Sequence, residues 1–145
     1  MIVLCCSFCP LKIDYDYMGL ETFNSVVDKC IFFDNGLASR ELINSRMKVP
    51  VEWYNYVFTD HSKMRNDLIK LVDPNDYIFM IDDTYIANFF IKDLKQEIVN
   101  YDSVIVSIRY PDKILNGIKI FKAGKYAYVV RYHEIIYPLE KKTFD

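Results

Sequence analysis

The residues in this chain best suited to chemistry are acids that follow apolar runs. Asp34 ends Cys30-Ile-Phe-Phe33, and the pair Asp82-Asp83 ends Tyr77-Ile-Phe-Met-Ile81. Two adjacent carboxylates repel each other unless a cation lies between them. A hard divalent ion, Mg²⁺ or Mn²⁺, relieves that repulsion and bridges carboxylates to substrate phosphates. The plain alternative is that Asp82 opens a turn or caps a helix, and that Asp34-Asn35-Gly36 is an ordinary turn. Other reactive residue types are less well placed. Asp60, His61 and Ser62 are chain neighbours that do not converge on a helix, as a nucleophilic triad must. Cys6 and Cys9 have CxxC spacing, but a structural zinc needs a second pair of ligands. Beyond that cysteine cluster only Cys30 and two distant histidines remain, so the thiols read as small buried hydrophobes, reduced in an intracellular protein. Neither GxGxxG nor GxxxxGK[ST] occurs, which argues against a Rossmann dinucleotide site or a P-loop.

The elements that must position these acids follow from periodicity. Met1 to Cys6 reads as a first buried strand. Leu20, Phe23 and Val27 recur at helical spacing and predict a helix from Tyr17 to Asp28. Cys30 to Phe33 is a short apolar run, as expected for a strand covered on both faces. A second helix is expected over Ala38–Arg46. Val49–Trp53 looks extended and edge-like, because Pro50 cannot donate to a ladder. Ser62 is placed to cap a helix running to Val72, and Tyr77–Ile81 is another buried strand. A helix from Asn88 to Asn100 precedes a β-rich, hairpin-like last third: Ser103–Tyr110, Gly117–Phe121 and Tyr126–Ile136. The alternation βαβαβα implies an α/β domain, with a mostly parallel sheet between flanking helices and a C-terminal β-hairpin segment. Ligands of such sheets bind beyond the carboxyl ends of the strands, where Asp34 and Asp82-Asp83 fall.

Composition sets the outer bounds. The chain has 145 residues, 52% of them hydrophobic and 16% aromatic. That is enough for one globular domain, residues 1–145, and too rich in aromatic residues for intrinsic disorder. With 18 basic against 20 acidic residues the net charge is -2, so no basic field draws in nucleic acid. No apolar run approaches the ~20 residues that span a bilayer. The N-terminus lacks the basic region and cleavage site of a signal peptide, and the expected location is cytoplasmic. Only 4 Gly leave little room for a glycine-built phosphate loop.

Four segments in order carry a resemblance to the family 2-type nucleotide-sugar glycosyltransferases of GT-A (Rossmann-like) fold. Ile31-Phe-Phe-Asp-Asn-Gly36 resembles their "VDxGSxD" turn. Trp53-Tyr-Asn-Tyr-Val-Phe58 followed by Ser62-Lys-Met-Arg-Asn66 resembles "W…FSxARN". Tyr77-Ile-Phe-Met-Ile-Asp-Asp83 resembles the strand ending in the DxD motif, with both acids kept in the register Ile81-Asp82-Asp83. Lys119-Ile-Phe-Lys-Ala-Gly124, Tyr128 and His133-Glu134 resemble "RLFRxGxxxxYxGxxHE". The resemblance implies a metal-dependent, inverting transfer of a sugar from a UDP- or GDP-sugar to a glycan or protein acceptor hydroxyl. It gives Asp34, Arg65, Asn66 and Asp82 to the nucleotide sugar, and Asp82, Asp83 and His133 to Mn²⁺ or Mg²⁺. Glu134 becomes the general base. On residue chemistry alone Arg65 is also readable as a solvated helix-face residue, and His133 as a hydrogen-bonded hairpin histidine. Three departures stand against full activity: Leu37-Ala38 replace the usual Ser and Asp of the acid turn, a strict DxD register would put Thr84 on the second acid, and the acceptor-side segment is compressed. The alternative functions are a non-catalytic glycosyltransferase-like module that binds a sugar or protein, and another metal-dependent enzyme on a doubly wound sheet, such as a nucleotidyl- or phosphotransferase, in which the same acids hold Mg²⁺.

Overall fold

Alternation along the first strand decides the layering. In the computed structural model, which describes residues 1–8, 20–82, 93–109, 114–129 and 135–139, β1 spans Ile2–Phe8 and is buried at every position. Ile2, Leu4, Cys6 and Phe8 enter one apolar cluster, and Val3 and Cys5 enter another. Because successive side chains of a strand point to opposite faces, these clusters are the two covered faces of one sheet. The strands β2 (Lys29–Asp34) and β4 (Tyr77–Asp82) divide their side chains in the same way.

The six-stranded sheet has the order β3-β2-β1-β4-β6-β5. Strand β1 pairs in parallel with β2 and β4, and β2 with β3 (Val51–Asn55). Strand β6 (Ile114–Lys122) runs antiparallel to both β4 and β5 (Ser103–Arg109). The chain therefore winds outward from β1 to β3, then crosses back to place β4 on the other side of β1. Strand β3 lies at the edge, as Pro50 demands, and the Pro50 carbonyl accepts the Cys30 N–H at 2.9 Å. A separate antiparallel pair, β7 (Tyr126–Val129) and β8 (Ile135–Pro138), supplies the expected C-terminal hairpin.

The first face is covered by the 3₁₀ turn Leu20–Ser25 and by Ile43 of α1 (Arg40–Arg46), with Leu94 of α3 (Leu94–Glu97) and Ile98 beside them. The second face is covered by Met64 and Leu68 of α2 (His61–Ile69), together with Val72 and Tyr128. Removing buried side chain from such a core costs about 2–5 kcal/mol for a Leu→Ala change.

Several helices differ from expectation. The segment expected as a helix to Asp28 is only a 3₁₀ turn to Ser25 among the described residues. Asp28 instead accepts the Ile2 N–H at 2.7 Å, tying that turn to the start of β1. Helix α2 is capped by Asp60, whose carboxylate accepts the Lys63 N–H at 2.8 Å, and it ends at Ile69. Ser62 lies inside the helix, buried, and its hydroxyl donates to the Val129 carbonyl at 3.4 Å. The helix expected from Asn88 is described only as α3 and a 3₁₀ turn, Ile98–Asn100; residues 88–92 lie outside the described residues. Gly124 has a packing reason: a Cβ there would sit 2.9 Å from the Pro74 carbonyl oxygen and Cβ.

Candidate functional site

Sheet register brings the two acid strand ends to either side of β1. Phe8 pairs with Asp34, and Ser7 pairs with Asp82. An open parallel sheet forms a ligand crevice at its carboxyl edge where the winding reverses, because connections there leave toward opposite faces. In this sheet the reversal falls between β1 and β4, at Ser7 and Asp82.

The two acid positions nevertheless belong to different faces. Asp34 follows Cys30 and Phe32, which face the first cluster, whereas position 82 follows Ile78 and Met80, which face the second. Asp34 is 2% exposed and held from several sides. Its carboxylate accepts the N–H groups of Gly36 at 2.8 Å and Ala38 at 3.1 Å, and Arg40 Nε at 2.8 Å. Burial alone would raise its pKa. The Arg40 guanidinium and the two backbone donors outweigh burial and hold the carboxyl below its usual range. Arg40 also donates to Asn55 Oδ1 at 2.6 Å and lies 5.2 Å over the Trp53 ring. Gly36, with φ at +97°, is the residue that lets the chain turn back onto this carboxylate. Asp34 thus organises the turn that starts α1.

Helix α2 carries the next pair of expected residues on the second face. Arg65 is 3% exposed, so it is not a solvated helix-face residue, and its guanidinium lies 5.1 Å over the Tyr128 ring. Asn66 acts as a surrogate strand. Its side-chain oxygen accepts the Tyr128 N–H at 2.7 Å and its amide donates to the Tyr128 carbonyl at 2.8 Å. Together with the Ser62–Val129 bond, this joins β7 to α2. His61 packs edge-on against Phe58, with ring centroids 5.0 Å apart.

Asp83, His133 and Glu134 lie outside the described residues, and Asp82 is described as the last residue of β4. Among the described residues no group of three or more metal-ligating side chains comes together. No described helix is long and apolar enough to cross a membrane. A cleft of about 240 Å³ lined by Ser25, Val26 and residues of α3 lies at the amino end of β2, away from the acids.

Sequence reasoning missed Arg40 and Ser7. Arg40 is in reach of Asp34 only because a turn folds α1 back, although an Arg six residues after an acid turn was a usable signal. Ser7 was hidden inside an apolar run, as the one hydroxyl of β1.

No protein-family model matches the chain. No curated protein matches it either. Among solved structures the fold is similar to that of 4-diphosphocytidyl-2C-methyl-D-erythritol synthase from Anaerococcus prevotii DSM 20548. The TM-score is 0.52 at 14% identity, covering 84% of this chain and 70% of that one. At that identity the likeness concerns the fold. The α/β, GT-A-like (Rossmann-like) architecture, with its mostly parallel sheet, is therefore the one this chain has.

Proposed function

We propose that this chain is a nucleotide-binding transferase that moves a sugar from a nucleotide diphosphate donor to an acceptor hydroxyl with inversion. The observation that carries the reading is the position of Asp82, at the carboxyl end of β4 beside β1, where the winding of the sheet reverses. Helix α2, which covers the same face, supports it by holding an arginine against Tyr128. A planar guanidinium suits a diphosphate because it donates to two oxygens at once.

In this reading Asp82 accepts from the ribose, and Arg65 contacts the diphosphate. Asp34 shapes the turn at the base end of the pocket, and Asn66 positions β7. Asp82, Asp83 and His133 would hold Mn²⁺ or Mg²⁺, whose oxygen preference suits two acids and whose charge would offset that of the departing diphosphate. Glu134 takes the proton of the acceptor hydroxyl as its oxygen bonds to the anomeric carbon, and the bond from that carbon to the diphosphate breaks.

A second reading has one observation in its favour. The structural neighbour is named for making a diphosphocytidyl compound, so the same acids could serve nucleotidyl transfer. Product analysis separates the two: the first releases nucleoside diphosphate, the second pyrophosphate.

Calorimetry with UDP- and GDP-sugars and with CTP, with and without Mn²⁺, tests nucleotide binding. At least one nucleotide should bind, and Asp82→Ala and Asp83→Ala should each weaken it roughly tenfold or more. Absence of binding by every nucleotide ends the reading. Binding that survives both substitutions unchanged refutes the site.

A further inference from the structure

The two edges of the six-stranded sheet differ in character. Strand β3 is five residues long, follows Pro50, and carries Glu52, which Lys29 engages at 3.2 Å. Brevity, proline and charge keep an edge from pairing with another chain. Strand β5 is seven residues long, and its Ser-Val-Ile-Val-Ser-Ile stretch, Ser103–Ile108, contains neither proline nor charge. The register shift between Val104 and Ile105 leaves Lys119 of β6 as the extra residue, so the irregularity lies on the inner neighbour. Among the described residues no strand lies beyond β5. The Asp102 carbonyl accepts the Lys122 N–H at 2.8 Å. Backbone groups alternate along an antiparallel ladder, so those of Ser103 and Ile105 point away from β6. The side chains mark the same edge. Val99 and Ile105 are each 68% exposed and Tyr101 is 60% exposed. Single exposed apolar residues need no explanation, but several of them beside an open strand mark a contact surface. Val104 and Val106 pack against the first cluster, so Ile105 belongs to the opposite face.

We propose that this edge is a homodimer interface, in which β5 pairs antiparallel with β5 of a second copy about a two-fold axis at Ile105. The two sheets then continue into one. The open backbone groups call for an extended strand as the occupant, and the sequence of β5 suits its own copy. Antiparallel pairing about Ile105 sets Ile105 opposite Ile105 and Val104 opposite Val106. Such β-branched pairs directly across a ladder stabilise a sheet. Charge agrees with this direction. The strand has Asp102 just before it and Arg109 at its end, so an antiparallel copy brings the acidic end of one strand alongside the basic end of the other. A parallel copy would bring like charges together. The protected β3 edge stops head-to-tail addition of further chains, so the assembly closes at two. The proposal stands independently of the nucleotide reading.

Sedimentation velocity of the full chain, from about 1 to 100 μM, tests the assembly. A species of twice the chain mass should appear within that range. Ile105→Lys places a charge on the edge and should weaken dimerisation by roughly tenfold or more, with the circular dichroism spectrum unchanged. Val57→Lys adds the same charge at the most exposed large apolar residue described, beyond the end of β3, and should leave dimerisation unaltered. Cross-linking tests the register without relying on those variants. In a Cys9→Ser background, Ile105→Cys should give a disulfide-linked dimer on mild oxidation, because Cα atoms of a hydrogen-bonded antiparallel pair stand about 5.5 Å apart. Val104→Cys, whose opposite position is 106, should stay monomeric on a non-reducing gel. A wild-type chain that remains monomeric throughout the range overturns the proposal. So does a dimer that survives Ile105→Lys, or one that Val57→Lys dissociates. Equal cross-linking at positions 104 and 105 overturns the two-fold at Ile105.

Discussion

At the scale of single residues, Asp34 shows how one side chain can look like a ligand contact and serve as a structural hub. It accepts two backbone N–H groups and the Arg40 guanidinium from an almost fully buried position. Its folded pKa lies below the ordinary value, as do those of Asp28 and Asp67. A carboxyl of this kind binds its proton more weakly folded than unfolded. Its stabilising contribution is therefore present above the unfolded value, about 3.9, and is lost as pH falls through the folded one. Urea midpoints measured from pH 7 downward should hold until about pH 4 and then drop. Asp34→Asn should lower the midpoint at pH 7 by the equivalent of about 1–3 kcal/mol and flatten the acid drop. An unaltered acid profile in this variant would show that the drop belongs to Asp28 and Asp67.

Among the elements, the joint between α2 and β7 explains more than either part alone. Strand β7 pairs with β8 on one side, and the Asn66 side chain copies a strand's donor and acceptor at Tyr128. Ser62 adds a further bond to Val129. Asn66→Ala should destabilise by about 1–3 kcal/mol. It should also accelerate hydrogen exchange at the Tyr128 amide far more than at Ile78 in the main sheet. Equal acceleration at both amides would mean that Asn66 supports the whole fold and not this joint. Arg65, next in sequence to Asn66, stacks on the same Tyr128, so one helix turn sets both the hairpin's position and the buried cation. The motif Arg65-Asn66 was legible in the sequence. That its two residues have different duties was not, because the duty of Asn66 depends on a strand 62 residues away.

For the molecule as a whole, the middle strands β1, β2 and β4 are sealed on both faces, and the thiols of β1 and β2 record that. Cys5, Cys6 and Cys30 are buried thiols outside any disulfide. Burial pushes the Cys30 thiol up to about 12, and burial beside Cys30 pushes Cys5 far above the ordinary thiol range. Thiolate is the reactive form, so these three should resist an aromatic disulfide reagent at neutral pH in a Cys9→Ser background. They should then react together across the denaturant range where circular dichroism reports unfolding. Reaction of any of them well before that transition would show that the sheet opens locally.

The sequence by itself determined the elements whose signal is local. Continuous apolar runs marked β1, β2 and β4 because a strand buried on both faces needs apolar residues at every step. Pro50 marked an edge because it lacks an N–H. The turn at Asp34-Asn35-Gly36 was written in residues that favour it. Only the tertiary structure decided the rest. Capping by Asp60 rather than Ser62 depended on which backbone angle the approaching chain took. The return of the chain across β1 to β4 made Ser7 the neighbour of Asp82, a contact between residues 75 positions apart that no periodicity encodes. Strand parity then assigned positions 34 and 82 to opposite faces. Residue types thus named the candidate acids, but the face each acid belongs to is a property of the register, which exists only once the strands have paired.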